Sequence, residues 1–234
     1  MTEIIPAIIP KSFAELTDKL SKINGIIPIV QIDVCDGKFT PDASWPNILS
    51  PDHDFVKIIH EEEAFPYSDE LEFEIDLMVA DPLAYVPQWI SAGAQRIIPH
   101  IESFSSGDKA LQFAKDFKEQ YDGDGSFLRT ELGMAINIDT PNEALDIVIQ
   151  ELDFVQCMGI SKIGYQAQPF DERVLDKIRS LKAKYPDLEI SVDGGVSLES
   201  APKLILAGAN RLVVGSAIFG SDDIVDTIEQ LENL

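Results

Sequence analysis

Eight short runs rich in β-branched residues recur along the chain, each followed by a longer segment of helical period, and this alternation constrains the fold more than any other feature. The runs are Ile4–Ile9, Ile29–Val34, Phe73–Val79, Arg96–Ile101, Leu132–Ile136, Phe154–Met158, Glu189–Val192 and Arg211–Val214. Strand followed by helix, repeated, is the sequence form of βα units around a parallel sheet, and eight is the number that closes a barrel. Helices are predicted from Ser12, about Asn47, Pro82, Ser106, Pro141, Asp171, Leu198 and Ser221, several opened by Asp, Ser or an N1 proline. Gly93 and Gly208 stand where helices should stop. A (β/α)8 TIM barrel takes about 250 residues, so 234 leave no room for a second domain, and one α/β barrel domain over residues 1–234 is expected. A doubly wound open sheet is the alternative, but Pro6-Ala7-Ile8-Ile9-Pro10 stands where its Gly-x-Gly-x-x-Gly fingerprint would be.

Charge narrows the function classes. The chain carries 18 Lys and Arg against 41 Asp and Glu, a formal net charge of −23, which repels phosphate backbones and anionic lipid. Neither nucleic acid nor a membrane surface is an expected partner. Met1-Thr2-Glu3 lacks the cationic start of a signal peptide, and every apolar run is interrupted short of a membrane span. Cys35 and Cys157 form no disulfide framework and read as small core residues, which fits a cytoplasmic protein. Glu61-Glu62-Glu63 and Asp122-Gly123-Asp124-Gly125 read as solvated loops.

Barrel chemistry sits at the C-terminal ends of strands, so the informative residues are polar ones where a strand should still be apolar. In the second run a period of two places Gln31, Asp33 and Cys35 on one face and Ile32 and Val34 on the other. If the β-branched set packs on helices, the polar set points into the barrel. Asp76 and Met78 share a face in the third run, and the seventh ends in Asp193-Gly194-Gly195. Three carboxylates and an amide therefore converge. Such a cluster costs several kcal/mol unless a cation sits among the carboxylates or some hold protons. Asp36 suits a turn cap, and Asp193 is open to either reading.

Gly194-Gly195-Val196 and Gly215-Ser216-Ala217 each follow a strand and precede a helix, so their amides can face an anion unobstructed. The loops after the last two barrel strands often hold phosphate. Gly194, Gly195, Gly215 and Ser216 are the candidate phosphate site.

Four stretches, Asp33-Val-Cys-Asp-Gly-Lys-Phe39, Asp76-Leu-Met-Val-Ala-Asp-Pro82, Val192-Asp-Gly-Gly-Val196 and Gly215-Ser-Ala-Ile-Phe219, carry a resemblance that extends over nearly the whole chain. The chain resembles the ribulose-phosphate 3-epimerases. The resemblance implies a ribulose-phosphate-binding barrel that interconverts D-ribulose 5-phosphate and D-xylulose 5-phosphate, usually with a divalent metal, and it implies Asp33 and Asp193 as paired acid and base. Inversion through a planar enediolate needs one group to remove a proton from one face and another to return it on the other. Met78 and Met158 match family methionines that line the site, although methionines on inward faces are often plain core.

The chain departs from the family at the metal ligands. Gln31 and Asp76 stand where the family has histidines, so the candidate set Gln31, Asp33, Asp76 and Asp193 is all oxygen and should favour Mg²⁺ or Mn²⁺ over Zn²⁺. Ala7 replaces a pocket serine and Lys38 a loop histidine, and with Cys35, Met78 and Met158 they make up the expected substrate pocket. The glycine-rich loop after strand six appears as Gly164-Tyr165-Gln166-Ala167-Gln168, and Lys162 could supply charge there. Lys38 and Lys162 at the mouth would help attract an anionic sugar. His100 matches a family histidine and is left outside the core site; His53 and His60 read as surface. Two functions stand: an epimerase of a phosphorylated ketose, or a barrel that has lost turnover and serves as a sugar-phosphate binder or assembly partner. A decarboxylase or aldolase lacks its Asp-x-Lys-x-x-Asp array or Schiff-base lysine. Exposed outer helices of such barrels commonly support self-association, so a homo-oligomer is also open.

Overall fold

A computed structural model describes residues 2–48, 52–121 and 129–234; the Asp122–Gly125 stretch lies outside them. Every predicted run is a strand: β1 (Glu3–Ile8), β2 (Ile29–Cys35), β3 (Glu72–Met78), β4 (Arg96–Pro99), β5 (Glu131–Ile136), β6 (Phe154–Met158), β7 (Glu189–Asp193) and β8 (Arg211–Val214). Each pairs in parallel with the next and β8 returns to β1, closing a single-domain barrel in sequence order.

Around it lie α1 (Phe13–Ile23), α2 (His53–Ile59), α3 (Val86–Ser91), α4 (Gly107–Tyr121), α5 (Arg173–Lys184), α6 (Ala201–Ala207), α7 (Ser216–Phe219) and α8 (Ile224–Glu232). Side chains of Ser12, Asp52 and Asp223 cap α1, α2 and α8 by accepting from the third amide onward. Each helix buries one stripe on the barrel's outer face, such as Leu16, Leu20 and Ile23 of α1 or Val174, Ile178 and Leu181 of α5. Gly93 and Gly208 follow the ends of α3 and α6 with φ of +96° and +115°. Among the described residues no helix is long and apolar enough to cross a membrane.

Three local expectations differ. The helix placed near Asn47 begins at His53, because Asn47 is spent on the preceding loop, where its Nδ2 donates to the Cys35 carbonyl at 2.9 Å. After β5 the chain forms only 3-10 turns, Asn142–Leu145 and Ile149–Glu151, since Ile147-Val148-Ile149 puts three β-branched residues in a row and stiff χ1 angles crowd a helix. Gly215-Ser216-Ala217, read as a glycine turn ahead of a helix, already enters the helical turn α7 at Ser216.

Inside the barrel the side chains form layers. At the N-terminal end of the strands Glu3, Glu74, Arg96, Glu131 and Arg211 make one ion-paired layer. Above it come apolar groups, Ile5, Ile29 and Val213 on one side and Ile98, Ala135 and Phe154 on the other. Interior chemistry is thereby confined to the C-terminal end.

Candidate active site

β2 and β3 run in register with Asp33 opposite Asp76, and β6 and β7 with Met158 opposite Asp193. Period-two alternation aims these groups inward while Ile32, Val34 and Val192 pack outward among the helices. One carboxylate oxygen from each of Asp33, Asp76 and Asp193 lies within 4.8 Å of the others, and all three residues are buried. The convergence read from the sequence is therefore present.

Gln31 ties two of the three together. Its Nε2 donates to Asp33 Oδ1 at 2.7 Å and to Asp193 Oδ2 at 3.1 Å, so one amide spans carboxylates from β2 and β7. Burial pushes the Asp33 carboxyl well above the usual range, and the charges of Asp193 and Asp76 add to the shift. Burial and the Asp76 charge push Asp193 up to about 7, opposed in part by the Gln31 amide. Two buried acids that repel each other bind a shared proton more readily than either alone.

Asp76 is held from the other side. His100 Nε2 lies 3.1 Å from Asp76 Oδ1, and Gln156 Nε2 donates to Oδ2 at 3.1 Å. Burial alone would lower the His100 pKa, but Asp76 and Glu102 outweigh it and raise it to about 9. The Glu102 carboxylate stands 3.6 Å from Nδ1, an ion-pair distance too long for a hydrogen bond. His100, left outside the core site above, is thus a direct neighbour of it. Gln156 is a site residue that the sequence reading misses, although the signal that exposes Asp33 is available: in Phe154-Val-Gln-Cys-Met158 a polar residue shares the inward face of an apolar strand.

A cavity opens above the carboxylates. Its lining includes Ala7, Asp33, Met78, Met158, Asp193, Gly194, Gly195, Gly215 and Ser216, all named from sequence, together with Tyr165, Gln166 and Gln168 of the loop after β6. Gly194 and Gly195 have φ of +96° and +69°. Three other expected residues stand elsewhere. Cys35 is buried beneath a neighbouring depression with Ala43 and Ile48, Lys162 lines a separate surface hollow with Phe39 and Tyr165, and Lys38 is exposed. Asp36 is a turn cap, accepting from the Lys38, Phe39 and Ala80 amides. His53, His60 and the Glu61–Glu63 run are exposed.

The family model for ribulose-phosphate 3-epimerases matches residues 3–219. The chain belongs to that family. It is 31% identical to the ribulose-phosphate 3-epimerase of Bacillus subtilis, covering 99% of this chain and 98% of the relative, and 28% identical to the Escherichia coli enzyme across 98% and 94%. A chloroplastic relative from Arabidopsis thaliana is 29% identical over 98% of this chain and 75% of its own length. Among solved structures, 3-hexulose-6-phosphate synthase from Salmonella typhimurium superposes with a TM-score of 0.64 at 14% identity, covering 100% and 97% of the two chains. KGPDC from Streptococcus mutans gives 0.66 at 11% identity, over 100% and 96%. Those two likenesses speak to the barrel alone.

The donor set fits a divalent metal through oxygens alone. Three buried carboxylates with converging oxygens would repel one another without a cation or protons between them. Gln31, expected as a fourth ligand, instead turns its Nε2 to Asp33 and Asp193, and its Oε1 is buried without a hydrogen-bond partner. The buried aspartate triad could thus bind a metal.

Proposed function

We propose that this protein epimerises a ketose phosphate at the carbon beside its carbonyl, D-ribulose 5-phosphate to D-xylulose 5-phosphate or a close relative, with Asp33 and Asp193 as the acid–base pair. The observation that carries the reading is the bridge of Gln31 between two buried carboxylates, both with raised proton affinity, under a cavity whose far wall is made of glycine turns.

Epimerisation needs one ionised and one protonated group at the start of each turnover. A coupled pair that shares a proton supplies that state near neutral pH. In one direction Asp33 accepts the C3 proton while Asp193 returns its own to the opposite face of the enediolate, and the reverse reaction exchanges the roles. The Gln31 amide lies against both groups and steadies whichever is charged. Met78 and Met158 present apolar surface that keeps water from the planar intermediate. A divalent cation held by Asp33, Asp76 and Asp193 would stabilise negative charge on the substrate oxygens, and an all-oxygen set selects Mg²⁺ or Mn²⁺ over Zn²⁺.

The anionic tail is assigned to the amides of Gly194, Gly195, Gly215 and Ser216. Gln166 Nε2 stands 3.3 Å from the point where a Cβ on Gly215 would be, so the loop after β6 brings a side-chain amide to this turn. Lys162 lies off the cavity and can act only through long-range attraction, screened within about 10 Å at 0.1 M salt. Both cysteines are free thiols, in keeping with a cytoplasmic setting.

Solvent exchange tests the proposal. With ribulose 5-phosphate and Mn²⁺ in heavy water, deuterium should enter C3, and D33N or D193N should each lower turnover at least about 10²-fold. Full turnover in either variant would sink the acid–base assignment. An absence of exchange with every divalent ion would favour the sugar-phosphate binder.

A further inference from the structure

Asp76 draws on a set of partners separate from the one that serves Asp33 and Asp193. Gln31 spans the latter two, whereas Asp76 is bracketed by His100 from the end of β4 and by Gln156, which reaches across the barrel from β6. In register with that crossing the intervening strands β4 and β5 carry Ile98 and Ala135, both buried. The direction of the Gln156 amide is set on its far side. Ser191 Oγ, from β7, lies 3.4 Å from Oε1, so the oxygen is turned to the hydroxyl and the Nε2 hydrogens face Asp76. Ser191, Gln156, Asp76 and His100 are all fully buried and form one continuous line of polar contacts across the interior.

We propose that Gln156 is a positioning residue, which with His100 fixes the Asp76 carboxylate so that it serves as the third oxygen ligand of the divalent cation. The inference rests on the metal-assisted reading above. A buried amide without a partner is destabilising through its desolvation, so its presence on an inward strand face calls for a group that requires it. That partner is an aspartate whose two oxygens would otherwise have only His100 to answer them. Outer groups that orient ligating side chains typically govern affinity for the ion about 10–100-fold.

The test is Mn²⁺ binding to the sugar-free protein, followed by electron paramagnetic resonance and calorimetry, in the wild type and in Gln156→Met, which keeps the volume and removes the donor. The proposal expects the variant to bind Mn²⁺ at least about fivefold more weakly and to change the bound-ion spectrum. A smaller change in affinity overturns it and leaves the metal reading standing. A wild type that takes up no Mn²⁺ at millimolar concentration overturns both, while C3 exchange still judges the acid–base pair separately. Should the variant fail to fold, wild-type crystals soaked in Mn²⁺ decide: Asp76 on the ion with Gln156 Nε2 on its carboxylate supports the proposal, and Asp76 turned away from the ion overturns it.

Discussion

Ala167 holds a φ of +56°, a left-handed conformation that costs a side chain about 1–2 kcal/mol. By the resemblance to the epimerase family it stands at a glycine position, and a glycine would hold this φ without that cost. Ala167→Gly should raise stability by about 0.5–1 kcal/mol after the glycine's extra unfolded freedom is counted, read as a higher midpoint in urea. An unchanged or lower midpoint would show that the loop relaxes around the alanine. Asp33, Asp76, Asp193 and Gln31 were legible at this scale because a polar residue on an inward strand face breaks a two-residue period. The same period marks Gln156 and His100, yet their role depends on contacts from β6 and β4 to β3 that no spacing along the chain encodes.

β5 and β6 illustrate how elements are fitted to one another. Gly133 is paired with Phe154, and a Cβ on Gly133 would overlap the Phe154 ring, which fills the barrel between the ionic layer and the site. Gly133→Ala should therefore destabilise the protein by about 1–3 kcal/mol, measured by equilibrium unfolding, as overpacking does. A neutral result would mean that the ring moves freely and the interior is loosely packed there. Strands were readable from β-branched runs and helices from their apolar stripe. The segment after β5 was not, because its apolar spacing suits a helix while three adjacent β-branched residues do not, and packing against the barrel settled on short 3-10 turns.

Closure of the whole barrel is braced at the end opposite the site. Arg211 pairs with Glu3 at 2.9 Å and with the fully buried Glu74, and its guanidinium lies 4.2 Å from the Phe154 ring centroid; Arg96 joins Glu3, Glu74 and Glu131. Burial raises the Glu74 pKa, with Arg211 and Arg96 opposing it. Arg211→Ala would leave the fully buried Glu74 with Arg96 as its remaining cation and should cost about 3 kcal/mol. At roughly 2–4 °C per kcal/mol for a chain this long, that lowers the melting temperature by about 10 °C. Little change in melting would show the layer to be dispensable. With a net charge of −23, the molecule places its few buried cations where they offset interior carboxylates.

The sequence by itself determined the eightfold βα repeat, the inward carboxylates and the glycine turns, because period and backbone chemistry are local properties. Only the tertiary structure decided which groups pair inside the barrel, that Gln31 spans Asp33 and Asp193, that Asp76 is bound to His100 and Gln156, and that Lys162 stands outside the cavity. Those relations join residues on strands far apart in the chain, and they exist only once closure brings the strands around a common interior.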